Sequence, residues 1–234
     1  MPLSLDTRGV GKVTIIRCNG RIVAGLENEA LRTHISGLLR DRRNFVLHLG
    51  DVVLIDSTGL GTMVRLLTST RQTRGDLKLC NVPQNIDKVL KITNLTKLFE
   101  THDCEESAIS AFYQRSAAAE PATSPGRPII CIHPNNDVLA YLRELLRRGG
   151  YDVHTSSSLR DSMILIRVAR PDLILLGPGL TASSSAQQAF DTARAKINVL
   201  ELGPEFSTLE AGEAAAHLLE SIQSRLNLKQ QLDS

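Results

Sequence analysis

The sequence predicts an α/β protein of two domains. Three observations predict it. Strand-like and helix-like segments alternate along both halves. The chain has no Trp, three Tyr and five Phe, so its cores must be built from Leu, Ile, Val and Ala, which suits parallel sheets flanked by helices. Between Ser116 and Pro128 lies a stretch of small residues and three prolines with no large apolar side chain, the composition of a linker. The expected boundaries are residues 1–116, a linker at 117–127, and residues 128–234.

The first domain is expected to open with a strand at Val13 to Cys18, turn at Asn19-Gly20 as a hairpin, and resume at Arg21 to Val23. Apolar residues at Leu31, Ile35, Leu38 and Leu39 place a helix over Leu26 to about Leu39. Phe45 to Leu49 is the next strand. A second apolar run, Val52 to Ile55, leads into Asp56-Ser57-Thr58-Gly59-Leu60-Gly61, and a helical face begins at about Leu60 with Met63, Val64 and Leu67. Leu77 to Val82 reads as a strand, Ile86 to Ile92 as a short helix, Leu98 to His102 as a last strand and Glu105 to about Arg115 as a last helix. The order implies parallel pairings with helices on one or both faces.

The second domain begins with a buried-strand run, Ile129 to Ile132. Helix at Val138 to Leu146, strand at Tyr151 to His154, helix at Leu159 to Ala169 and strand at Asp172 to Leu176 follow. Gly177-Pro178-Gly179 breaks the pattern. A helix at Ala186 to Lys196, a strand at Ile197 to Leu202 and a helix from roughly Thr208 to Leu226 complete it. This βα repeat predicts a doubly wound parallel sheet.

Charge narrows the function. The net charge is +2, distributed as +3 over residues 1–120 and −1 over the remainder, so neither half has the footprint of a direct nucleic-acid binder. Arg40-Asp41-Arg42-Arg43 is the densest basic run and reads as a solvated helix end. Cys18, Cys80, Cys104 and Cys131 are dispersed. Buried reduced thiols account for Cys18, Cys80 and Cys131, and His102-x-Cys104 alone is too few ligands for a metal. No cofactor or metal is expected. The N-terminus lacks a signal-peptide pattern, and no apolar run approaches the ~18 residues of a membrane span. The expectation is a cytoplasmic protein with no membrane partner.

Ser57 stands where a strand hands over to a helix. Unpaired amides and the helix dipole there favour negative charge. A serine at that place is either an N-cap or a phosphate acceptor. Gly59 and Gly61 either leave room for an approaching enzyme or let the turn adopt conformations that a side chain would block. They do not form a P-loop, because no Gly-Lys-Ser/Thr follows.

Residues 5–115 resemble the STAS family, the anti-sigma factor antagonist fold. The resemblance is carried by the element order, by Phe45-Val46-Leu47-His48-Leu49-Gly50 leading to Ile55-Asp56-Ser57-Thr58-Gly59-Leu60-Gly61, and by Leu77 to Val82 followed by Leu95-x-x-Leu98-Phe99. It implies that Ser57 accepts phosphate, with Thr58 the close competitor, and that Asp56, Ser57, Thr58, Gly59 and Leu60 meet the partner. It implies a non-enzymatic phosphoprotein in a partner-switching pathway of transcription regulation. The partner would be an anti-sigma factor or related GHKL-type serine kinase, and a PP2C-type phosphatase would reset the switch. Phosphate adds about −1.5 to −2 charge, enough to change binding without unfolding the domain.

The second half resembles a response-regulator receiver of the flavodoxin type, as a scaffold only. Receiver chemistry needs carboxylates after the first strand to hold Mg²⁺. That place reads His133-Pro134-Asn135-Asn136, and Gly177 stands where an acceptor Asp should follow Leu175-Leu176. The half reads as a degenerate receiver used for protein contacts, including homodimerisation. His133 lies at a strand end where α/β sites form, and Ser183 to Ser185 read as a loop and helix cap. Two alternatives stand beside the switch: a STAS scaffold subunit that is never phosphorylated, and an enzyme or small-ligand binder using the Gly177-Pro178-Gly179 loop.

Overall fold

The computed structural model describes residues 2–119, 126–181, 183–195, 197–203 and 211–232. The chain divides into two compact units, Met1–Ser116 and Ala117–Ser234.

In the first unit, β1 (Ser4–Val10) and β2 (Val13–Ile22) form an antiparallel hairpin. Then follow α1 (Leu26–Leu38), β3 (Asn44–Ile55), α2 (Ser57–Gln72), β4 (Asp76–Cys80), α3 (Gln84–Ile92), a 3-10 turn (Leu95–Lys97), β5 (Thr101–His102) and α4 (Glu105–Ala119). The strand order is β5-β4-β3-β2-β1, with β2 through β5 parallel. Ile16, Cys18, Leu47, Leu49, Leu77 and Leu79 meet α1, α2 and α3 in one core. Alternation sends Ile15, Val46 and Lys78 to the other face. There Phe112 of α4 lies under the Lys78 ammonium, 4.9 Å from ring centre to Nζ.

Three expectations need correction here. The hairpin turn is Gly11-Lys12, not Asn19-Gly20. Gly20 does adopt a positive φ of 111°, but inside β2, where the register with β3 shifts on either side of it. A Cβ there would sit 2.3 Å from the Pro2 carbonyl oxygen, so glycine serves a bulge and a close backbone approach. Second, β3 is one strand of twelve residues, running through Gly50 to Ile55. Third, β5 is only two residues, because Leu95–Lys97 forms a 3-10 turn and Leu98 caps it. Helix α4 continues to Ala119, into the stretch expected as linker, and residues 120–125 lie outside the described residues.

The second unit comprises β6 (Pro128–Ile132), α5 (Asn136–Arg148), β7 (Asp152–Ser156), α6 (Leu159–Ala169), β8 (Leu173–Leu176), α7 (Ser184–Arg194), β9 (Asn198–Glu201) and α8 (Ala211–Leu232). Its four strands are parallel in the order β7-β6-β8-β9. Ile129, Cys131, Leu173 and Leu175 pack on α5 and α8. Ile130, Ile132 and Ile174 point to the opposite face, so helices are needed on both. The order reverses between β6 and β8, which makes their carboxyl ends the switch point where open α/β sheets bind ligands.

Candidate functional site at the Ser57 turn

A single residue, Asp56, joins β3 to α2. It is the N-cap, in extended conformation, and Ser57 is the first residue of the helix. The expectation that the helix begins at about Leu60, and the alternative that Ser57 is itself the cap, are both corrected by this. The Asp56 carboxylate accepts from the Gly59 amide at 2.7 Å and from the Ala24 amide at 2.8 Å. These bonds, Ala24 first and Gly59 second, hold its carboxyl below the usual carboxylate range. Asp56 therefore ties the segment before α1 to the start of α2. It leaves the hydroxyls of Ser57 and Thr58 without a capping duty.

Ser57 and Thr58 are both exposed, whereas Gly59 and Leu60 are buried. Leu60 belongs to the core, so the surface offered here is narrower than the five expected residues. Gly59 is helical, and its lack of a side chain serves packing. A Cβ would lie 2.2 Å from the Ile22 carbonyl oxygen of β2. At Gly61 the same Cβ would meet nothing within 4 Å. Of the two glycines, only Gly61 leaves open space.

Apolar neighbours not anticipated from the sequence flank the turn. Val53 and Leu54 at the end of β3 are 62% and 49% exposed, and Leu26, two residues after Ala24, is 85% exposed. The signal was present: Val52 to Ile55 is four apolar residues in a row, where a half-covered strand needs only alternate ones. Exposed Val53 and Leu54 precede Ser57 and Thr58 in the chain, and the Ala24–Asp56 bond brings the segment before Leu26 to the same turn.

The second unit offers a different strand end. Gly177 follows β8 and donates its amide to the Ile132 carbonyl at 2.8 Å. A Cβ on Gly177 would lie 2.0 Å from Cδ2 of His133, so the imidazole occupies the space an acceptor side chain would need. His133 is buried, and its Nδ1 accepts from the Asn135 amide at 3.0 Å. Burial lowers its pKa below the ordinary histidine value. Beside Gly177, a hollow of about 170 Å³ is lined by Leu159, Leu176, Leu180 and Phe190. Ser183 caps α7, accepting from the Ala186 amide. Burial also pushes the thiols of Cys18, Cys80 and Cys131 up to about 12, while Cys104 is exposed. Among the described residues, no group of three or more His, Cys, Asp or Glu side chains is arranged to hold a metal ion.

Residues 4–108 match the STAS domain family model. A protein assigned as an anti-sigma factor antagonist, BtrV of Bordetella bronchiseptica, is 27% identical over 109 residues, which is 43% of this chain and 94% of that protein. Among solved structures, a protein assigned as an anti-sigma factor antagonist from Thermotoga maritima is 25% identical. It covers 46% of this chain and 92% of its own, with a TM-score of 0.43. The phosphorylated form of the Bacillus cell fate determinant SpoIIAA is 20% identical, covering 47% and 99%, with a TM-score of 0.40. The first unit thus carries a STAS domain with anti-sigma factor antagonist relatives. No described helix is long and apolar enough to cross a membrane.

Proposed function

We propose that the protein is a non-enzymatic regulator in which the first unit acts as an anti-sigma factor antagonist, switched by phosphorylation of Ser57. The observation that carries this is the exposed Ser57 hydroxyl at the first position of α2, released from capping by Asp56. The family match and the BtrV likeness support the antagonist reading. The unmodified face, with Leu26, Val53 and Leu54 exposed around two small hydroxyls, suits closure by an apolar partner surface. Phosphate at Ser57 would put about −2 charge in that contact and beside the Asp56 carboxylate. The partner is an anti-sigma factor or GHKL-type serine kinase, and a PP2C-type phosphatase reverses the change. Regulation of transcription in the cytoplasm follows from that role.

The second unit is read as a degenerate receiver-like domain for protein contacts, including homodimerisation. Four parallel strands in the flavodoxin-type order support it, and Gly177 with His133 packed against it supports the loss of phosphoacceptor chemistry. The test of the switch is affinity for the kinase partner with Ser57→Asp in the full chain. Weakened binding with an unchanged thermal transition is expected, and undiminished affinity of a folded variant refutes the switch.

One observation favours a second reading, a scaffold subunit that is never phosphorylated. Asp56 already satisfies the turn, which is complete without phosphate. That reading expects a defined oligomer lost on truncation to residues 1–116, measured by light scattering, and no phosphate incorporation.

A further inference from the structure

We infer that the amino-terminal ends of strands β3 and β4 carry a second surface, which docks on an anionic lipid bilayer. Three loops that are far apart in sequence meet there. Arg40 to Arg43 lie between α1 and β3, Arg74 lies between α2 and β4, and Leu98 follows the end of α3 at Ile92 on the way to β5. Backbone and side-chain bonds fix them to one another. The Arg43 carbonyl accepts the Asp76 amide at 3.2 Å. Arg71 bonds the Asp76 carboxylate at 3.0 Å and reaches the Leu98 carbonyl at 3.2 Å. The cations and the apolar residues of these loops are therefore held on one pole of the unit.

Arg40, Arg43, Arg74 and Lys97 are exposed, and none of them pairs with a carboxylate among the described residues. Asp41 is the exposed carboxylate within the basic loop, while Asp76 is buried and held by Arg71. Amid these charges Ile92 is 85% exposed and Leu98 is 42% exposed. Exposed aliphatic side chains on the same pole as these cations match the two demands of a bilayer interface. The cations meet anionic headgroups, and the aliphatic groups enter the acyl boundary. A surface for single-stranded nucleic acid would instead present stacking aromatics, and the exposed groups here are aliphatic. The sequence concealed this surface, because Arg40 to Arg43 taken alone is a solvated helix end.

The position matters for the switch. β3 is twelve residues long, so Ser57 stands about 35 Å away at the opposite end of the strand, at ~3.3 Å per residue. A bilayer on the basic pole leaves the Ser57 turn facing away from it, open to a protein partner.

The test is co-sedimentation of the full chain with phosphatidylcholine vesicles, with and without about 30% phosphatidylglycerol. Binding is expected to the anionic vesicles at ~50 mM salt and to be largely lost at ~500 mM salt. Each cation at such a surface is worth roughly fivefold in partitioning, so Arg40→Glu with Arg43→Glu and Arg74→Glu should reduce it by ~100-fold or more. Ile92→Ser with Leu98→Ser, with the charges kept, should reduce it about tenfold and preserve the salt dependence. Circular dichroism confirms that each variant is folded. Absence of binding by the parent chain to anionic vesicles at low salt overturns the proposal. So does binding that neither set of substitutions alters, or salt-sensitive retention on single-stranded DNA without vesicle binding.

Discussion

The Ser57 turn and the Gly177 turn occupy equivalent places, each after a parallel strand and before a helix. They differ in what fills the space beyond the strand. After β3, one residue makes the connection, and its carboxylate is spent on the Ala24 and Gly59 amides. Two hydroxyls are left at the surface. After β8 the next helix does not begin until Ser184, and the imidazole of His133 fills the space over Gly177. The comparison teaches that strand ends supply a place for a site, while the neighbouring side chains decide whether the place is open.

The largest effect of a single substitution is expected at Gly59. Gly59→Ala forces a methyl to within 2.2 Å of the Ile22 carbonyl oxygen, where backbone stands on both sides. A loss of about 3 kcal/mol is expected in urea unfolding followed by circular dichroism, the upper end of overpacking costs. At Gly61 the space is open, and alanine should be neutral or stabilise by up to ~1 kcal/mol through helix propensity. Equal losses at both positions would mean that α2 does not lean on β2 as described.

Next comes the switch itself. Ser57→Asp should weaken the kinase complex roughly 30-fold, about 2 kcal/mol, by placing an unpaired charge in a closed interface. Titration calorimetry reads the affinity.

A smaller effect is expected at the closed turn. Gly177→Ala must displace the His133 ring and should cost about 1–2 kcal/mol. In the His133→Ala background the same change should cost less, since the ring is gone. A coupling of about 1 kcal/mol between the two positions is the signature, and strict additivity would contradict the packing.

The smallest contrast is in pH dependence. The folded-state pKa of His133 lies below its unfolded value of 6.5, so its contribution is present above that pH. It fades as pH falls through the lowered value, because only the unfolded chain accepts the proton readily. Asp56 is also depressed, so its contribution is full above the ordinary carboxylate range and is lost as pH falls from there through the lowered value. Between those windows the second unit should loosen, while in the first unit His48 of β3, whose pKa burial and then Arg17 also lower, contributes a loss of the same sign. Hydrogen exchange of the β6 and β8 amides in the parent chain and in His133→Asn measures it, and the variant should lose the pH dependence that the parent shows there.

Much of this was legible in the sequence, for identifiable reasons. Helix α6 was readable end to end, since Ser158 caps it and Arg170-Pro171 closes it. The alternation of elements gave both sheets, because buried parallel strands are continuous apolar runs. The Asn19-Gly20 signal misled because a positive φ at glycine serves a bulge as well as a turn. β1 was hard to read because Ser4, Asp6 and Arg8 alternate with Leu5, Thr7 and Gly9, of which only Leu5 is strongly apolar. Lys78 is a fully buried lysine, paired with Glu100 and stacked on Phe112, and nothing local in β4 marks it. At the candidate site, the place of Ser57 between a strand and a helix was legible in the element order. The duty of Asp56 was not visible, because Ala24 lies 32 residues away in sequence.

The central claim is that Ser57 accepts the phosphate. Incubation of the full chain with the cognate GHKL-type kinase and ATP, followed by mass mapping, tests it most directly. The account predicts one phosphate, on Ser57, absent from the Ser57→Ala variant. Undiminished phosphorylation of that variant, or a phosphate mapped to Thr58 or to the second unit, would contradict it.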